Sequence, residues 1–296
     1  MKIDWKKYLI GEWSWIRPIK SLTFIYLSLL VVALFFSDLI IYQPPIAGYS
    51  KNGAQIDTLQ TPSGLSIGLF HLPAKPGMPT LFWSHGNAED LGLLSNRFHR
   101  FHAHGYGILA YDYPGYGISE GKPNEKSCYE ACQTAWIHIT QNIQVPPNLI
   151  IIYGQSVGSG PSVWLASQQE TAGLMLVSPF ISAFRSVTRI PLFPGDCYNN
   201  INRIPSIKTP LLIVHGDKDE VVGQWNGKML YDAHGGPKTF CSIANTGHND
   251  IYMLAGDRII DELNTFWALQ APNTVACRSR TIVQSRTSKK SNITAR

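Results

Sequence analysis

The pentapeptide Gly154-Gln155-Ser156-Val157-Gly158 has the clearest chemical meaning in this sequence. It follows the apolar run LIIIY and precedes a stretch with helical patterning. A sharp turn from a strand into a helix exposes a serine hydroxyl, and glycines on either side let the two elements approach each other. The helix N-terminus also favours negative charge that develops beside Ser156. We therefore predict that Ser156 is a nucleophile; the structural alternative is a serine that caps the helix.

A serine hydroxyl attacks poorly unless a base removes its proton and an acid orients that base. In folds with this type of turn, the chain order is serine, then Asp or Glu, then His. Three acids follow the apolar run LLIVH at the carboxyl edge of the predicted sheet: Asp217, Asp219 and Glu220. We predict Asp219 as the orienting acid, Asp217 as a turn former and Glu220 as a solvated side chain.

Nine histidines are available as the base, and chain order favours two of them. His248 follows Asp219 and lies in the loop sequence TGHND after the last predicted strand. His234 also follows Asp219, but it ends a predicted helix, where an imidazolium would stabilise the helix C-terminus. The sequence therefore predicts His248 as the general base and acid.

An oxyanion needs two backbone N–H groups aimed at one point. We predict that Val157 provides one of them, because it directly follows the nucleophile. The second is expected from Asn87, whose amide follows the conformationally free Gly86 after the apolar run TLFWS; Ala88 is the alternative. His85 in the same loop is predicted to support the loop.

Residues 179–210 form a short cap between two predicted strands, which leaves the site comparatively open. Apolar side chains in this cap could line a groove for substrate or pack within the cap itself. The groove candidates are Phe180, Phe184, Ile190, Leu192 and Phe193.

The candidate site residues lie between predicted strands and helices, which appear in the sequence as short apolar runs that alternate with amphipathic stretches. Six runs are predicted strands, at 80–84, 107–111, 149–153, 174–178, 211–215 and 239–243. Five stretches are predicted helices, at 91–104, 126–142, 157–167, 224–234 and 255–269. Near-continuous apolar runs are typical of strands buried on both faces of a parallel sheet.

Residues 54–60 and 65–71 flank the turn sequence TPSG and predict an antiparallel hairpin before the parallel strands. The sequence therefore predicts an α/β fold: a mostly parallel central sheet, an N-terminal antiparallel hairpin, helices on both faces and a short cap.

Composition excludes several classes of protein. With 296 residues, 44% hydrophobic and 15% charged, the chain is neither a collagen nor a coiled coil nor mostly disordered. Five cysteines without a Cys-X-X-Cys spacing indicate neither a disulfide scaffold nor a zinc site. We expect no metal and no organic cofactor.

The net charge of +5 belongs to the two ends of the chain. Residues 1–20 carry five Lys/Arg against two acids, and residues 272–296 carry six and no acid. The body between them has 14 basic and 18 acidic residues, so a basic groove for nucleic acid is not expected.

Residues 21–42 carry a single charge, Asp38. A helix of that length spans about 33 Å, enough for a hydrocarbon core of about 30 Å. A cleaved signal peptide is the alternative, but the run is longer than an h-region and no Ala-X-Ala-like site follows promptly. We predict a basic segment at 1–20, a transmembrane anchor at 21–43, a catalytic domain at 44–271 and a basic, disordered tail at 272–296. Basic residues before the span predict a cytoplasmic N-terminus and an extracytoplasmic domain.

The motifs SHGN (84–87), DYPGYGISEG (112–121), GQSVG (154–158), HGDKDEV (215–221) and GHND (247–250) occur in the order found in one known superfamily. The chain resembles α/β-hydrolases, in particular the membrane-associated abhydrolase-domain branch that holds protein depalmitoylases and serine-aminopeptidase-like relatives. The resemblance implies Ser156, Asp219 and His248 as a catalytic triad, in agreement with the residue-level reasoning. In place of the cysteine-rich N-terminus of the depalmitoylases, this chain has an apolar span, and its first cysteine is Cys128.

Together these patterns predict a membrane-anchored serine hydrolase that cleaves acyl ester or thioester bonds through an acyl-enzyme intermediate. Its expected partner is an acyl-chain-bearing small molecule, lipid or acylated protein, without nucleic acid. A serine peptidase and a catalytically silent binding protein on the same fold are the alternatives.

Overall fold

A computed structural model describes residues 15–50 and 56–270 of the chain. The strands of this part are β1 (Ile56–Gln60), β2 (Ser66–Leu72), β3 (Thr80–Ser84), β4 (Gly107–Tyr111), β5 (Ile150–Gln155), β6 (Gly173–Val177), β7 (Leu211–Gly216) and β8 (Lys238–Ile243). The α-helices are α1 (Ile16–Phe35), α2 (Ser37–Ile41), α3 (Leu91–Ala103), α4 (Glu125–Ile137), α5 (Ser159–Ala166), α6 (Arg185–Thr188), α7 (Asn200–Arg203), α8 (Trp225–Ala233) and α9 (Ile251–Gln270).

The strands form one sheet in the order β1-β2-β4-β3-β5-β6-β7-β8. β2 pairs antiparallel with β1 and with β4, and every other neighbouring pair is parallel. The parallel strands end at one edge of the sheet, so the loops that follow β3, β5, β7 and β8 meet there. The predicted α/β fold, with its mostly parallel sheet and N-terminal antiparallel hairpin, is confirmed.

Alternation along each buried strand divides the core into two layers, one on each face of the sheet. In β3, Phe82 belongs to the layer that contains α4 and α5, whereas Leu81 and Trp83 belong to the layer that contains α3 and α9. Successive side chains of a strand point to opposite faces, so a continuous apolar run fills both layers at once. The helices on both faces agree with this expectation.

Three predicted helices differ from the structure by two or more residues at one end. The helix predicted at 126–142 is α-helical only as far as Ile137 and continues as a π-helical turn over His138–Asn142. The helix predicted at 157–167 is preceded by a 3-10 turn over Ser156–Gly158, and Ser156 at the start of this turn has a left-handed backbone. The last helix begins at Ile251, four residues before the predicted start, and bends at Ala255, where the backbone leaves the helical region.

The predicted anchor is a helix in two parts. α1 begins at Ile16, five residues before the predicted span, and the backbone leaves the helical region at Phe36 before α2. α1 is long and apolar enough to cross a membrane, with a mean hydropathy of 1.9 in its most apolar 18-residue window and no buried residue there. Such a helix can serve as a membrane anchor. Residues 1–14, 51–55 and 271–296 lie outside the described chain, and so do most of the predicted basic segment and all of the predicted tail.

Candidate active site

Ser156 lies between β5 and its helix with a backbone φ of +49°. A non-glycine residue in this left-handed region costs about 1–3 kcal/mol of backbone strain, and such strain is common at functional sites. The following 3-10 turn brings the Ser159 hydroxyl to 2.7 Å from the Ser156 carbonyl oxygen, to which it donates. The local structure is therefore the sharp strand-to-helix turn that the sequence predicts, with the serine at its corner.

Gly158 makes this turn possible by its close approach to the loop after β3. A Cβ atom at this position would lie 2.1 Å from the Ser84 carbonyl oxygen and 2.6 Å from that of His85. Both obstacles are backbone atoms, which cannot rotate away. Any side chain here would push the turn that carries Ser156 away from the loop after β3.

We expect Gly158→Ala to lower the free energy of unfolding by at least about 2 kcal/mol, since overpacking forces the backbone to shift. The matched control is Gly235→Ala, because a Cβ there meets nothing closer than 3.6 Å. Its effect should stay within about 0.5 kcal/mol. Denaturant unfolding of the two variants measures the difference, and equal stability would contradict the close-approach argument.

The three residues predicted to act together lie in direct contact at the carboxyl edge of the sheet. His248 Nε2 is 2.9 Å from Ser156 Oγ, and His248 Nδ1 is 2.8 Å from Asp219 Oδ2. With the Nδ1 proton donated to the carboxylate, Nε2 accepts the hydrogen bond of the serine hydroxyl. This is the arrangement in which an imidazole can remove the hydroxyl proton during attack on a carbonyl carbon.

Asp219 is held as an anion by a dense set of donors. Its Oδ1 accepts hydrogen bonds from the backbone N–H groups of Val222 at 2.7 Å and Val221 at 3.1 Å. Burial by itself would raise the pKa of this carboxyl, but hydrogen bonds from His215 and His248 and the backbone donors outweigh burial and lower it well below its usual range. The Asp219 carboxyl therefore stays charged at neutral pH.

His215 is a residue of the site that sequence reasoning missed. Its Nε2 lies 3.2 Å from Asp219 Oδ2 and 2.7 Å from the Val222 carbonyl oxygen, and the side chain is fully buried. The sequence did contain an indication of this role: His215 is the polar residue at the end of the strand run LLIVH, four residues before Asp219. His215 thus contacts the carboxylate from a second side.

The other two acids of the loop after β7, and the other histidine that follows Asp219 in the chain, make different contacts. Asp217 is exposed in the turn that follows β7. Its Oδ1 accepts the backbone N–H of Asn245 at 2.7 Å, so it also connects the loops after β7 and β8. Glu220 is exposed, as predicted. The interpretation of His234 as a helix-end cation is corrected: it is buried, its Nε2 lies 3.0 Å from the Thr209 carbonyl oxygen, and burial lowers its pKa.

Of the backbone N–H groups of Gly86, Asn87 and Ala88 in the loop after β3, that of Asn87 is free to bind an oxyanion. The Gly86 N–H donates to Glu89 Oε2 at 2.9 Å, and the Ala88 N–H donates to the Asn87 side chain at 3.0 Å. Among the described hydrogen bonds, this leaves the Asn87 N–H without a partner. The structure therefore disfavours Ala88 as the second donor. The backbone N–H of Asn87 stays the predicted donor, together with the backbone N–H of Val157.

The side chain of Asn87 connects this loop to the end of the predicted anchor. Its Oδ1 accepts from the Gln43 N–H at 2.9 Å and from the Tyr116 hydroxyl at 2.6 Å. Its Nδ2 donates to the Ile41 carbonyl oxygen at 2.9 Å. The end of α2 is thus tied directly to the loop beside Ser156.

His85 supports the same loop from the protein interior. It is fully buried, its Nδ1 donates to the Gly86 carbonyl oxygen at 2.7 Å, and its Nε2 lies 3.3 Å from Asp112 Oδ1. Burial disfavours the charged imidazole, but the Asp112 carboxylate outweighs burial and raises the pKa of His85. The contacts of His85 are those of a structural residue, as the sequence indicates.

A cavity of about 650 Å³ opens in front of Ser156 and His248. Its apolar wall comes from the anchor end, the cap and the loops after β5 and β7: Ile40, Ile41, Val157, Phe180, Ala183, Val187, Val221 and Val222. Its polar wall includes Glu89, Arg97, Gln155 and Tyr252, which contact one another. Ser156 thus faces both an apolar and a polar surface.

The predicted groove is corrected in part. Phe180 lines the cavity, whereas Phe184, Ile190, Leu192 and Phe193 do not. Phe193 instead stacks on Tyr26 of α1, with ring centroids 5.7 Å apart. The physical reason is that an apolar cap residue can be buried equally well by the anchor helix as by a substrate cavity.

The described chain contains no cluster of metal-ligating side chains. Across residues 15–50 and 56–270, no group of three or more His, Cys, Asp or Glu side chains is arranged to hold a metal ion.

Similarity to known proteins agrees with this geometry. Residues 78–194 match the family model described as serine aminopeptidase, S33. Alpha/beta hydrolase domain-containing protein 17C of Xenopus laevis is 35% identical over 219 residues, 72% of this chain and 70% of that protein. The human protein 17B is 36% identical over 207 residues, 68% of this chain and 71% of that protein.

Solved structures share the fold at lower sequence identity. The Pyrococcus furiosus esterase Pf2001 has a TM-score of 0.63 and 16% identity over 78% of this chain and all of that one. The alpha/beta hydrolase GrgF from a Penicillium species has a TM-score of 0.62 and 17% identity over 73% of this chain and 98% of that one.

Proposed function

This chain belongs to the α/β-hydrolase superfamily, among the relatives of alpha/beta hydrolase domain-containing protein 17, and on that basis we propose that it is a membrane-anchored serine hydrolase of acyl esters or thioesters. One observation carries the proposal: Ser156 Oγ lies 2.9 Å from His248 Nε2, whose other ring nitrogen lies 2.8 Å from Asp219. A hydroxyl that donates to an oriented imidazole is an activated nucleophile.

In the proposed reaction, Ser156 Oγ attacks the acyl carbonyl carbon while His248 Nε2 takes the hydroxyl proton. The electron pair of the carbonyl moves to its oxygen, which the N–H groups of Val157 and Asn87 stabilise. The imidazolium, stabilised by Asp219, then protonates the leaving alcohol or thiol as the bond from carbon to oxygen or sulfur breaks. A water molecule repeats the sequence on the acyl-enzyme and releases the carboxylic acid.

The two walls of the cavity suit different parts of the substrate. The apolar wall suits the acyl chain, because burial of each methylene contributes about 0.8 kcal/mol. The polar wall suits the alcohol or thiol carrier. A long-chain acyl group on a lipid, a small molecule or a protein would satisfy both surfaces.

The charges at the cavity favour an ester or thioester over a peptide with a free amino terminus. Glu89 is the acid among the described residues that line the cavity. Its Oε2 accepts the Gly86 N–H at 2.9 Å and its Oε1 pairs with Arg97 at 3.0 Å. Because both carboxylate oxygens already have partners, Glu89 offers no unpaired charge to an α-ammonium group.

The membrane topology belongs to the same proposal. We propose that α1 makes a single pass, with the N-terminus in the cytoplasm and the catalytic domain on the other side. The support is the charge pattern: five Lys/Arg lie in residues 1–20, and the next basic residue is Lys51. Protease protection of sealed vesicles tests the orientation, and a catalytic domain on the cytoplasmic side would contradict it.

We expect the purified full chain to cleave long-chain acyl thioesters and esters at least about 10²-fold faster, in kcat/KM, than aminoacyl amides, because the cavity has apolar surface for an acyl chain and no free anion for an amino terminus. A panel of esters and thioesters from two to sixteen carbons, beside aminoacyl and dipeptidyl amides, measures the ratio. Faster cleavage of the amides would favour the peptidase. Ser156→Ala serves as the background control for every substrate.

A further inference from the structure

A six-residue cap loop, residues 190–195, lies against α1. Tyr26 of α1 stacks on Phe193 of the loop, and its hydroxyl donates to the Leu192 carbonyl oxygen at 3.3 Å. Leu34 of α1 is the side chain nearest to Gly195, 3.7 Å from the position of a Cβ atom there. The contact therefore runs along the helix and is not confined to its end.

The burial pattern of the helix agrees with a continuous contact. Leu30, Ala33 and Ser37 are half-buried, whereas their neighbours in α1 and at the start of α2 are exposed. Counted from Tyr26, Leu30 and Ala33 are spaced by four and three residues, which places them on one face of α1. Ser37 lies beyond the break at Phe36. The half-buried positions of α1 thus lie on the same face as Tyr26, which contacts the cap loop.

This contact fixes the position of the cap loop along the axis of α1. Nine residues separate Tyr26 from Phe35, the last residue of α1, which corresponds to about 14 Å along the helix axis. α1 exposes apolar side chains around most of its surface and contains no buried residue. If lipid surrounds α1, the loop that contacts it at Tyr26 lies among the acyl chains as well.

Two prolines and three hydrogen bonds lower the cost of placing the backbone of the cap loop in an apolar environment. Two of its six residues, Pro191 and Pro194, have no N–H group to satisfy. The Leu192 N–H donates to the Ile190 carbonyl oxygen at 2.9 Å, and the Thr188 hydroxyl donates to the same oxygen at 2.7 Å. The Leu192 carbonyl accepts the Tyr26 hydroxyl. The two prolines and these hydrogen bonds each remove an unpaired polar group that would cost several kcal/mol in lipid.

The mouth of the catalytic cavity continues this apolar surface. Val187, three residues before the cap loop, lines the cavity and is 80% exposed. Ile40 of α2 also lines the cavity and is 58% exposed. The rim of the cavity is thus apolar where the anchor and the cap meet.

We propose that the cap loop is inserted into the lipid bilayer beside α1, and that the acyl chain of the substrate enters the cavity from the bilayer, between Ile40 and Val187. The partner is a lipid surface, and the substrate is an ester or thioester whose acyl chain resides in it. This inference rests on the proposed hydrolase function. Its first test measures membrane insertion without catalysis, so the insertion and the hydrolase function can be contradicted separately.

The first test attaches an environment-sensitive fluorophore to Ile190→Cys in the full chain, reconstituted into phosphatidylcholine vesicles. Ile190 is 57% exposed, so the label does not displace core packing. Doxyl groups on the lipid acyl chains should quench it at least about threefold more than the same label at Leu269→Cys. Leu269 is 72% exposed near the end of α9, far along the chain from the cap. Wild-type protein labelled in parallel corrects for native cysteines, and equal quenching at the two positions would overturn the insertion.

The second test compares two substrates with Ile190→Asp. We expect hydrolysis of a sixteen-carbon thioester embedded in vesicles to fall at least about tenfold, while hydrolysis of water-soluble p-nitrophenyl butyrate changes less than about twofold. Leu269→Asp, the matched control, should change neither. Unchanged rates on both substrates, or equal losses on both, would overturn entry from the bilayer. A wild-type chain that hydrolyses neither substrate and does not react with a fluorophosphonate would contradict the hydrolase function, while the quenching result would still decide insertion.

Discussion

Ser156→Ala should reduce kcat/KM for the preferred acyl thioester by at least about 10⁴-fold, because removal of the nucleophile leaves only binding and oxyanion stabilisation. In the same variant, labelling by a fluorophosphonate should disappear, since the probe reacts with an activated serine hydroxyl. Both measurements are made on the membrane fraction or on the purified full chain. They assign the reactive atom directly, because alanine removes Oγ and leaves the backbone of the turn in place.

A matched serine-to-alanine change distinguishes loss of the nucleophile from loss of fold. Ser167 is half-buried at the end of α5, where its hydroxyl donates to the Trp164 carbonyl oxygen, outside the cavity. Ser167→Ala should retain labelling and activity within about twofold. Thermal unfolding of Ser156→Ala should be close to that of the wild type. A folded Ser156→Ala protein that still hydrolyses the thioester at the wild-type rate would contradict the proposed nucleophile.

Asp219→Asn should reduce kcat by about 10³–10⁴-fold at neutral pH. An asparagine amide can present an N–H group to His248 Nδ1, which would then accept a hydrogen bond and place its proton on Nε2. That tautomer cannot take a proton from Ser156. The imidazolium would also lose the adjacent carboxylate that stabilises it.

Asp217→Asn provides the matched control for this change. Asp217 lies two residues away on the same loop, and it bonds to the Asn245 amide rather than to a histidine. Its conversion to asparagine should leave kcat within about threefold of wild type. If Asp217→Asn causes the larger loss of activity, the choice between the two acids is reversed.

Asp219 also predicts a dependence of stability on pH with a definite sign. Its pKa in the folded protein is lowered, so its hydrogen bonds stabilise the folded state above about pH 4, the ordinary pKa of an unfolded aspartate. This stabilisation is lost as the pH falls through the lower pKa of the folded state. The difference in the free energy of unfolding between wild type and Asp219→Asn should therefore shrink on acidification below about pH 4. Denaturant titrations at several pH values measure it, and a difference that grows on acidification would contradict the lowered pKa.

Much of the scaffold could be derived from the sequence alone, because local patterns carry it. The runs TLFWS and GILAY become β3 and β4 with the predicted boundaries, because a strand buried on both faces has a nearly continuous apolar run at its centre. The turn at Ser156 is equally local: its glycines, the preceding strand and the following helix are all within a few residues. The order of nucleophile, acid and base then follows from the topology of the sheet.

The remaining features depend on contacts between residues far apart in the chain, which no local pattern encodes. The sequence left three acids on one loop, and the fold brings the carboxylate of Asp219 to His248 across 29 residues. The connection from Asn87 to the end of the anchor joins segments 44 residues apart. The packing of Phe193 on Tyr26 joins segments much farther apart still. Apolar side chains are stabilised by burial against any apolar partner, so composition determined that Phe180 and Phe193 would be covered. Only the tertiary structure decided that Phe180 lines the cavity beside Ser156 and that Phe193 contacts α1.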